Sequence, residues 1–298
     1  MNEIKTKSII TEPQEKQKRT SLFADLVKRT VKGPGAKIGV AILAIMVFCV
    51  IFANFVAPYG ENEMDLTSCF ATPNSQHLLG CDALGRDQLS RLLYGGRYSL
   101  LIGILVTVVD TGLGILLGAI AGYVGGMTEL IIMRVMEVWQ AIPQQLLAIL
   151  IATIFGGGFW QTVVAISVGG IPMKCRQTRA QFLKESGREY VEAAEAINCT
   201  KLSIMLRHIL PNACSPIIIS VAMSIGGAVT AAAGLAYIGL GVQPPTPEWG
   251  ALLNAGRQYI RLYPHLLIWP GVFIAFLVLA FNLIGDGLRD ALDPRLKK

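Results

Sequence analysis

An all-α polytopic membrane protein with six transmembrane helices is predicted by three observations. Hydrophobic residues make up 53% of the chain and charged residues only 15%, the apolar residues gather into blocks, and Lys and Arg concentrate in alternate connections. The blocks are near the roughly 20 residues that a helical bilayer crossing needs. They must be helical because hydrocarbon offers no partner to open backbone groups.

The blocks fall at 38–57, 100–123, 130–155, 160–173, 215–233 and 266–284, the fourth short and interrupted by glycine. Nine Lys and Arg lie in the tail through Lys37, seven in 174–208 and four after Asp286, against three in 58–97 and two in 234–264. Cytoplasmic flanks retain positive charge. This distribution assigns both termini and the loop 174–213 to the cytoplasm, and the loops 58–97 and 234–264 to the outside.

The net charge of +6 is what membrane insertion alone produces, and no basic face interleaved with aromatics exists, so nucleic-acid binding is excluded. A cleaved signal peptide is excluded too: the charged region before Ile38 is too long, and the apolar run after it is long enough to stay as an anchor. Cys49, Cys175, Cys199 and Cys214 sit in or beside spans as small apolar residues. Cys69 and Cys81 share the first external loop and are able to pair if that compartment oxidises thiols, but their distance is not fixed by sequence.

Along the chain, residues 1–20 are polar and read as a disordered tail. Leu22, Phe23, Leu26 and Val27 form an apolar stripe, so 21–37 reads as an interfacial helix, broken by Gly33, Pro34 and Gly35. In the first external loop, 87–94 reads as a short helix against the outer membrane face, either a surface for an external partner or a lid over the bundle. In the second span Gly114, Gly118, Gly122 and Gly126 recur every fourth residue, continuing Gly103, Thr107 and Thr111. Small residues so spaced mark a close helix-packing face, whose neighbour is either this chain or a second subunit.

Asp110, deep in the same span, must face protein or water. It is either a pathway carboxylate for a cationic solute group or a carboxylate bonded to Thr107, Thr111 or another helix. Arg134 and Glu137 are placed to pair on one helix face. Pro143, Pro172, Pro216 and Pro270 lie in or near spans, where each removes a backbone donor.

The most informative stretch is 189–212. Glu189, Glu192 and Glu195 alternate with Tyr190, Val191, Ala193, Ala194 and Ala196 in an amphipathic, helix-prone run. Ala193 and Ala194 leave a thin surface for a groove on a partner, and Glu192 offers it a charge. Asn198 interrupts, Thr200 caps a second short helix, and Pro211 ends it as the fifth span begins. A bent bracket rigidly joined to that span is the expected result.

EAAEAINCTKLSIMLRHILP resembles the EAA loop of ATP-binding cassette importer permeases. LGCDALGRDQLSRLLYGGRYSL, AIPQQLLAIL, GLGVQPPTPEWGALLNAGR and FNLIGDGLRDALDPRL together resemble the second permease subunit of the dipeptide, oligopeptide and nickel importers, over nearly the whole of 38–298. The resemblance implies a type I importer fold in the prokaryotic cytoplasmic membrane. It implies a cytoplasmic coupling helix, with Tyr190, Glu192, Ala193, Ala194, Asn198, Leu202, Arg207 and Pro211 meeting the ATPase. Its implied partners are a homologous permease, two ATPase subunits that use ATP and Mg, and an external solute-binding protein. Its implied cargo is a di- or oligopeptide, with nickel or a metal chelate as the rival. Against the family pattern, Asn198 stands where Gly is usual, Cys81 where Thr is usual, and Ala232 where relatives often have Glu.

No phosphate-cradling G-x-x-x-x-G-K-[ST] loop occurs, so ATP hydrolysis is expected elsewhere and no cofactor is assigned to this chain. H-E-x-x-H is absent, and His77, His208 and His265 are far apart in sequence, so neither a catalytic nor a metal site is read. A self-sufficient transporter or channel would show internal repeats and several deep charges, where this sequence shows Asp110 alone.

Overall fold

In the computed structural model, which describes residues 29–292, helices account for every long element and no strand is formed among the described residues. Helix α1 (Pro34–Ile51) starts with proline at its first turn, where the missing N–H has no intrahelical partner to lose. A further turn, Ala53–Val56, follows it. Residues 21–28 of the expected helix 21–37 lie outside the described residues; within them, Arg29 and Thr30 are helical and a turn at 31–33 leads straight into α1.

Helix α2 (Gln88–Val124) has 37 residues, about 55 Å at the α-helical rise. Asp87 caps it, accepting from Ser90 N at 2.8 Å. The segment 87–94 is therefore no separate surface helix. It forms the first turns of the second span, with Leu92 and Leu93 buried and Arg91 buried beside them. Arg97 holds this extension to α1 by donating to the Val50 and Ile51 carbonyls at 2.9 and 3.0 Å.

The third block is broken rather than straight. Helices α3 (Gly126–Gln140) and α4 (Gln144–Phe155) meet at 78°, with Pro143 at the junction. Helix α5 (Phe159–Ser186) has 28 residues and runs on through Pro172. The fourth span thus reaches well past Met173, and the connection to α6 begins near Gly187 rather than at Lys174.

A short helix α6 (Glu189–Ala196) follows, then one turn, Lys201–Ser203, and a π-helical stretch, Ile204–Ile209, that flows into α7 (Leu210–Tyr237). Helix α8 (Trp249–Arg257) lies in the connection between α7 and α9 (His265–Leu292), the last helix among the described residues.

Four of these helices, α1, α2, α9 and α7 with the turns before it, are long and apolar enough to cross a membrane, and the bent pair α3–α4 makes a fifth. Helix α5 is long enough but carries Lys174, Arg176, Gln177 and Arg179. A span enclosed by neighbours on one side and facing a polar cleft on the other has no need to be apolar all round.

Helices α2 and α5 share the largest interface, α1 lies on α9, and α7 packs between α2, α5, α8 and α9. The main core joins Val50, Leu92, Leu100, Val229, Trp249, Ile274 and Leu277 from five helices. Trp249 is fully buried and donates from Nε1 to the Leu92 carbonyl at 2.9 Å. Gly95 is required opposite it, since a Cβ there would sit 1.8 Å from the Pro247 carbonyl oxygen.

Candidate coupling bracket and polar cleft

The stretch 187–212 is built as a bracket whose inner side locks onto its own bundle. Val191 and Ala194 of α6 are buried with Ala119 of α2, Phe182 of α5, Ile204 and Ile209 of the π-helical stretch and Ala213 of α7. Phe182 is fully buried at the centre of this cluster. Polar ties surround it: Tyr190 OH donates to Glu185 at 2.9 Å, and Tyr123 OH to Glu195 at 3.4 Å.

Asn198 forms the corner with φ 58°, in the left-handed region. Among residues with a side chain, asparagine adopts that region most readily. Its N–H donates to the Glu195 carbonyl and that of Cys199 to the Ala194 carbonyl, at 2.9 and 3.1 Å, so the end of α6 is closed. Thr200 then caps the next turn, its Oγ1 accepting from Ser203 N at 3.3 Å.

Three expectations change here. Ala194 faces inward and is buried, so it is not part of a docking surface, and Tyr190 is half-buried and turned to Glu185. Pro211 does not end a helix: Leu210 before it is helical at φ −55°, ψ −45°. The wide π-helical turns shift the carbonyl that the proline ring would otherwise strike. The outward face consists of Glu192, Ala193, Ala196, Ile197, Leu202 and Arg207, all exposed. Ile197 at 76% and Leu202 at 60% exposure are large apolar side chains with nothing over them. Ile197 was missed from sequence; it is the residue just past the end of α6, where the left-handed corner at Asn198 turns the chain away from the packed face.

The glycine stripe of α2 meets α5 of the same chain. A Cβ at Gly114, Gly118 or Gly122 would lie 2.3 to 2.7 Å from Lys174 Cβ, the Cys175 carbonyl or Phe182 Cβ respectively. Gly103 instead meets Val229 of α7, and Gly126 leaves the stripe: at φ 57° with open space around it, it belongs to the turn into α3. Arg179 of α5 pairs with Glu129 of α3 on the flank.

Asp110 is buried and faces Gly170 of α5, where a Cβ would lie 2.6 Å from its Oδ2. Its Oδ1 accepts from Thr111 Oγ1 at 3.0 Å, while Thr107 Oγ1 has no partner. One turn further along α5, a cleft of about 260 Å³ opens between α5, α7 and α2. Its walls include Thr111, Lys174, Gln177, Gln181 and Ser220, but not Asp110.

In the connection between α1 and α2 and the start of α2, His77 Nδ1 lies 3.0 Å from Asp87 Oδ1, and Asp82 binds both Arg86 and Arg91 at 2.7 Å. Cys81 is buried, and desolvation and then the Asp87, Asp82 and Asp65 carboxylates push its thiol up to about 12. Cys69 is exposed, and neither cysteine is bridged. Ala232, the position that departs from the family's acid, is buried among Ile102, Val106 and Ala228.

Helices so arranged, with a bracket between the fourth and fifth crossings, define the membrane-spanning subunit of an ABC importer. The fold matches a chain of the MetNI methionine ABC transporter in an inward-facing conformation at a TM-score of 0.57 and 18% identity, covering 68% of this chain and 97% of that one. The family of binding-protein-dependent transport system inner membrane components matches residues 114–298, and the N-terminal TM domain of oligopeptide transport permease C matches residues 21–73.

Among individual proteins, the di/tripeptide transport system permease protein DppC of Pseudomonas aeruginosa is 43% identical over 88% of this chain and 89% of its own length. The glutathione transport system permease protein GsiD of Pectobacterium atrosepticum is 43% identical over 85% of this chain and 84% of its own. The dipeptide transport system permease protein DppC of Haemophilus influenzae is 39% identical, covering 89% and 92%. The chain belongs to this family of inner-membrane permeases, the non-catalytic subunits of ABC importers that work with ATPase and substrate-binding partners.

Proposed function

We propose that this chain translocates di- or oligopeptides by alternating access, paired with a second, homologous permease and driven by two ATPase subunits. ATP and Mg are bound by those subunits, and this chain carries the motion. Both termini and the bracket face the cytoplasm; an external binding protein delivers solute to the opposite side.

The outward face of the bracket carries this reading. Glu192, Ala193, Ala196, Ile197, Leu202 and Arg207 expose a small, partly apolar surface with one acid and one base, suited to a groove on a partner. Its inner face is packed onto α2, α5 and α7, so displacement of the bracket displaces spans. The peptide cargo is supported by relatives named for dipeptides, tripeptides and glutathione, all of peptide chemistry.

Glu192→Lys tests the docking. The variant is expected to insert normally but to lose at least tenfold in ATPase subunits recovered with it from detergent. Recovery at the native ratio, with native uptake of a labelled dipeptide, would refute the assignment.

A further inference from the structure

Lys174, Gln177, Thr178 and Gln181 of α5 recur three and four residues apart and so share one helix face. Lys174 lies fifteen residues into α5, about 22 Å along it. A polar stripe at that depth does not face lipid; it faces protein or water, and here it faces the cleft.

The Lys174 ammonium donates to Ser220 Oγ at 2.7 Å, to the Ser220 carbonyl at 3.4 Å and to Ser224 Oγ. Gln177 Oε1 accepts from Ser220 Oγ at 3.1 Å and holds that hydroxyl in place. All of these acceptors are neutral, and Lys174 forms no ion pair among the described residues. Its charged neighbour Asp110 interacts with it electrostatically without forming an ion pair; it packs against Gly170 one turn earlier on α5, does not line the cleft, and accepts from Thr111 on one oxygen. A half-buried cation whose direct hydrogen-bond acceptors are hydroxyls and a carbonyl, with no carboxylate in contact, keeps charge available to an anion in the cleft.

We propose that Lys174, with Ser220, Ser224 and Gln177, forms a carboxylate-binding subsite on the wall of the translocation pathway. This rests on the importer function proposed above. Peptides of different sequence share their termini and little else, so a wall that passes many of them is served by a contact to the common carboxylate. Lysine suits the task because its compact charge accepts a carboxylate from many directions, without the fixed geometry of a guanidinium fork. The serines position the ammonium when the cleft is empty and yield it when the solute arrives.

The test is uptake of a radiolabelled dipeptide with a free carboxylate, using the importer reconstituted with its partner permease, ATPases and binding protein. Four forms are compared: native, Lys174→Gln, Lys174→Arg and the double variant Asp110→Asn/Lys174→Gln. The subsite predicts at least a tenfold fall in uptake for Lys174→Gln, recovery to within about threefold for Lys174→Arg, and no recovery for the double variant. If Lys174 only balances Asp110, removing both charges restores uptake, and the proposal is overturned. Native uptake by Lys174→Gln overturns it as well. If the native assembly carries no dipeptide at all, it is the peptide-import reading that fails, and the two failures are distinguishable.

Discussion

Replacing Phe182 with alanine should release the bracket from the bundle while leaving the spans assembled. Phe182 is fully buried where α2, α5, α6 and α7 converge, against Ala119, Val191, Ala194, Ile204, Ile209 and Ala213. Truncating a buried phenylalanine costs about 3–5 kcal/mol, the transfer loss plus the cavity left behind. Helix α6 has only eight residues, well short of the roughly 12–15 at which an isolated helix becomes even marginal in water. Its order therefore derives from this cluster, and most of the loss should appear as local opening rather than global unfolding. At about 1.4 kcal/mol per factor of ten, amide exchange across 189–196 should accelerate on the order of 100-fold or more. Exchange in α1 and α9, whose contacts lie in a different core, should change little. The assay is hydrogen exchange read by mass spectrometry on the purified assembly, with dipeptide uptake alongside. Unchanged protection of 189–196 in the variant would refute the view that this cluster holds the bracket.

Three further substitutions probe the corner and the Asp82 cluster. Asn198→Gly should keep fold and uptake, because glycine adopts the left-handed corner freely, whereas Asn198→Ile should lower the stability of the bracket by about 1–2 kcal/mol, read from the same exchange measurement. In the cluster, burial raises the Asp82 carboxyl, but bonds from Arg86 and Leu84 outweigh it and hold the group below its ordinary 3.8. Its stabilisation is thus complete above that value and is lost as pH falls through the lower folded one. Asp82→Asn should therefore melt earlier than native protein at pH 7, with the gap closing below about pH 3.8; an equal gap at pH 7 and pH 3 would refute the role of the charge.

Hydropathy and charge reveal the crossings but not where helices end once tertiary contacts override local signals. Arg91 reads as part of a short surface helix and Gly95, Gly96 and Arg97 as the end of the first external loop, yet all four lie inside α2. The arginines are consumed by Asp82 and by the carbonyls that end α1, and the glycines make room for Pro247 and for the side chains of Val50 and Trp249. No local rule contains those partners. Lys174 ended the fourth span for a related reason: its charge is incompatible with lipid but compatible with a cleft that exists only when α5 and α7 are assembled. The bracket was more legible, since its amphipathic pattern is local. Even there, assigning Ala193 and Ala194 to one surface ignored the roughly 100° that separates successive residues on a helix.

The two joints between α5 and α7 differ in strength, and the difference bears on how motion would travel. At the bracket end they are tied by an apolar cluster around Phe182, whose disruption costs several kcal/mol and has no substitute in water. Deeper in, the seam at the cleft consists of Lys174 and Gln177 bonded to Ser220 and Ser224. Bonds to a charged group contribute about 1.5–3 kcal/mol net at most, and water or a carboxylate entering the cleft can replace them. A force applied to the bracket therefore meets a stiff joint first and a yielding one behind it. The bracket would move as one body with the ends of both spans, and the seam beside Lys174 would open, placing the charge where a solute can reach it.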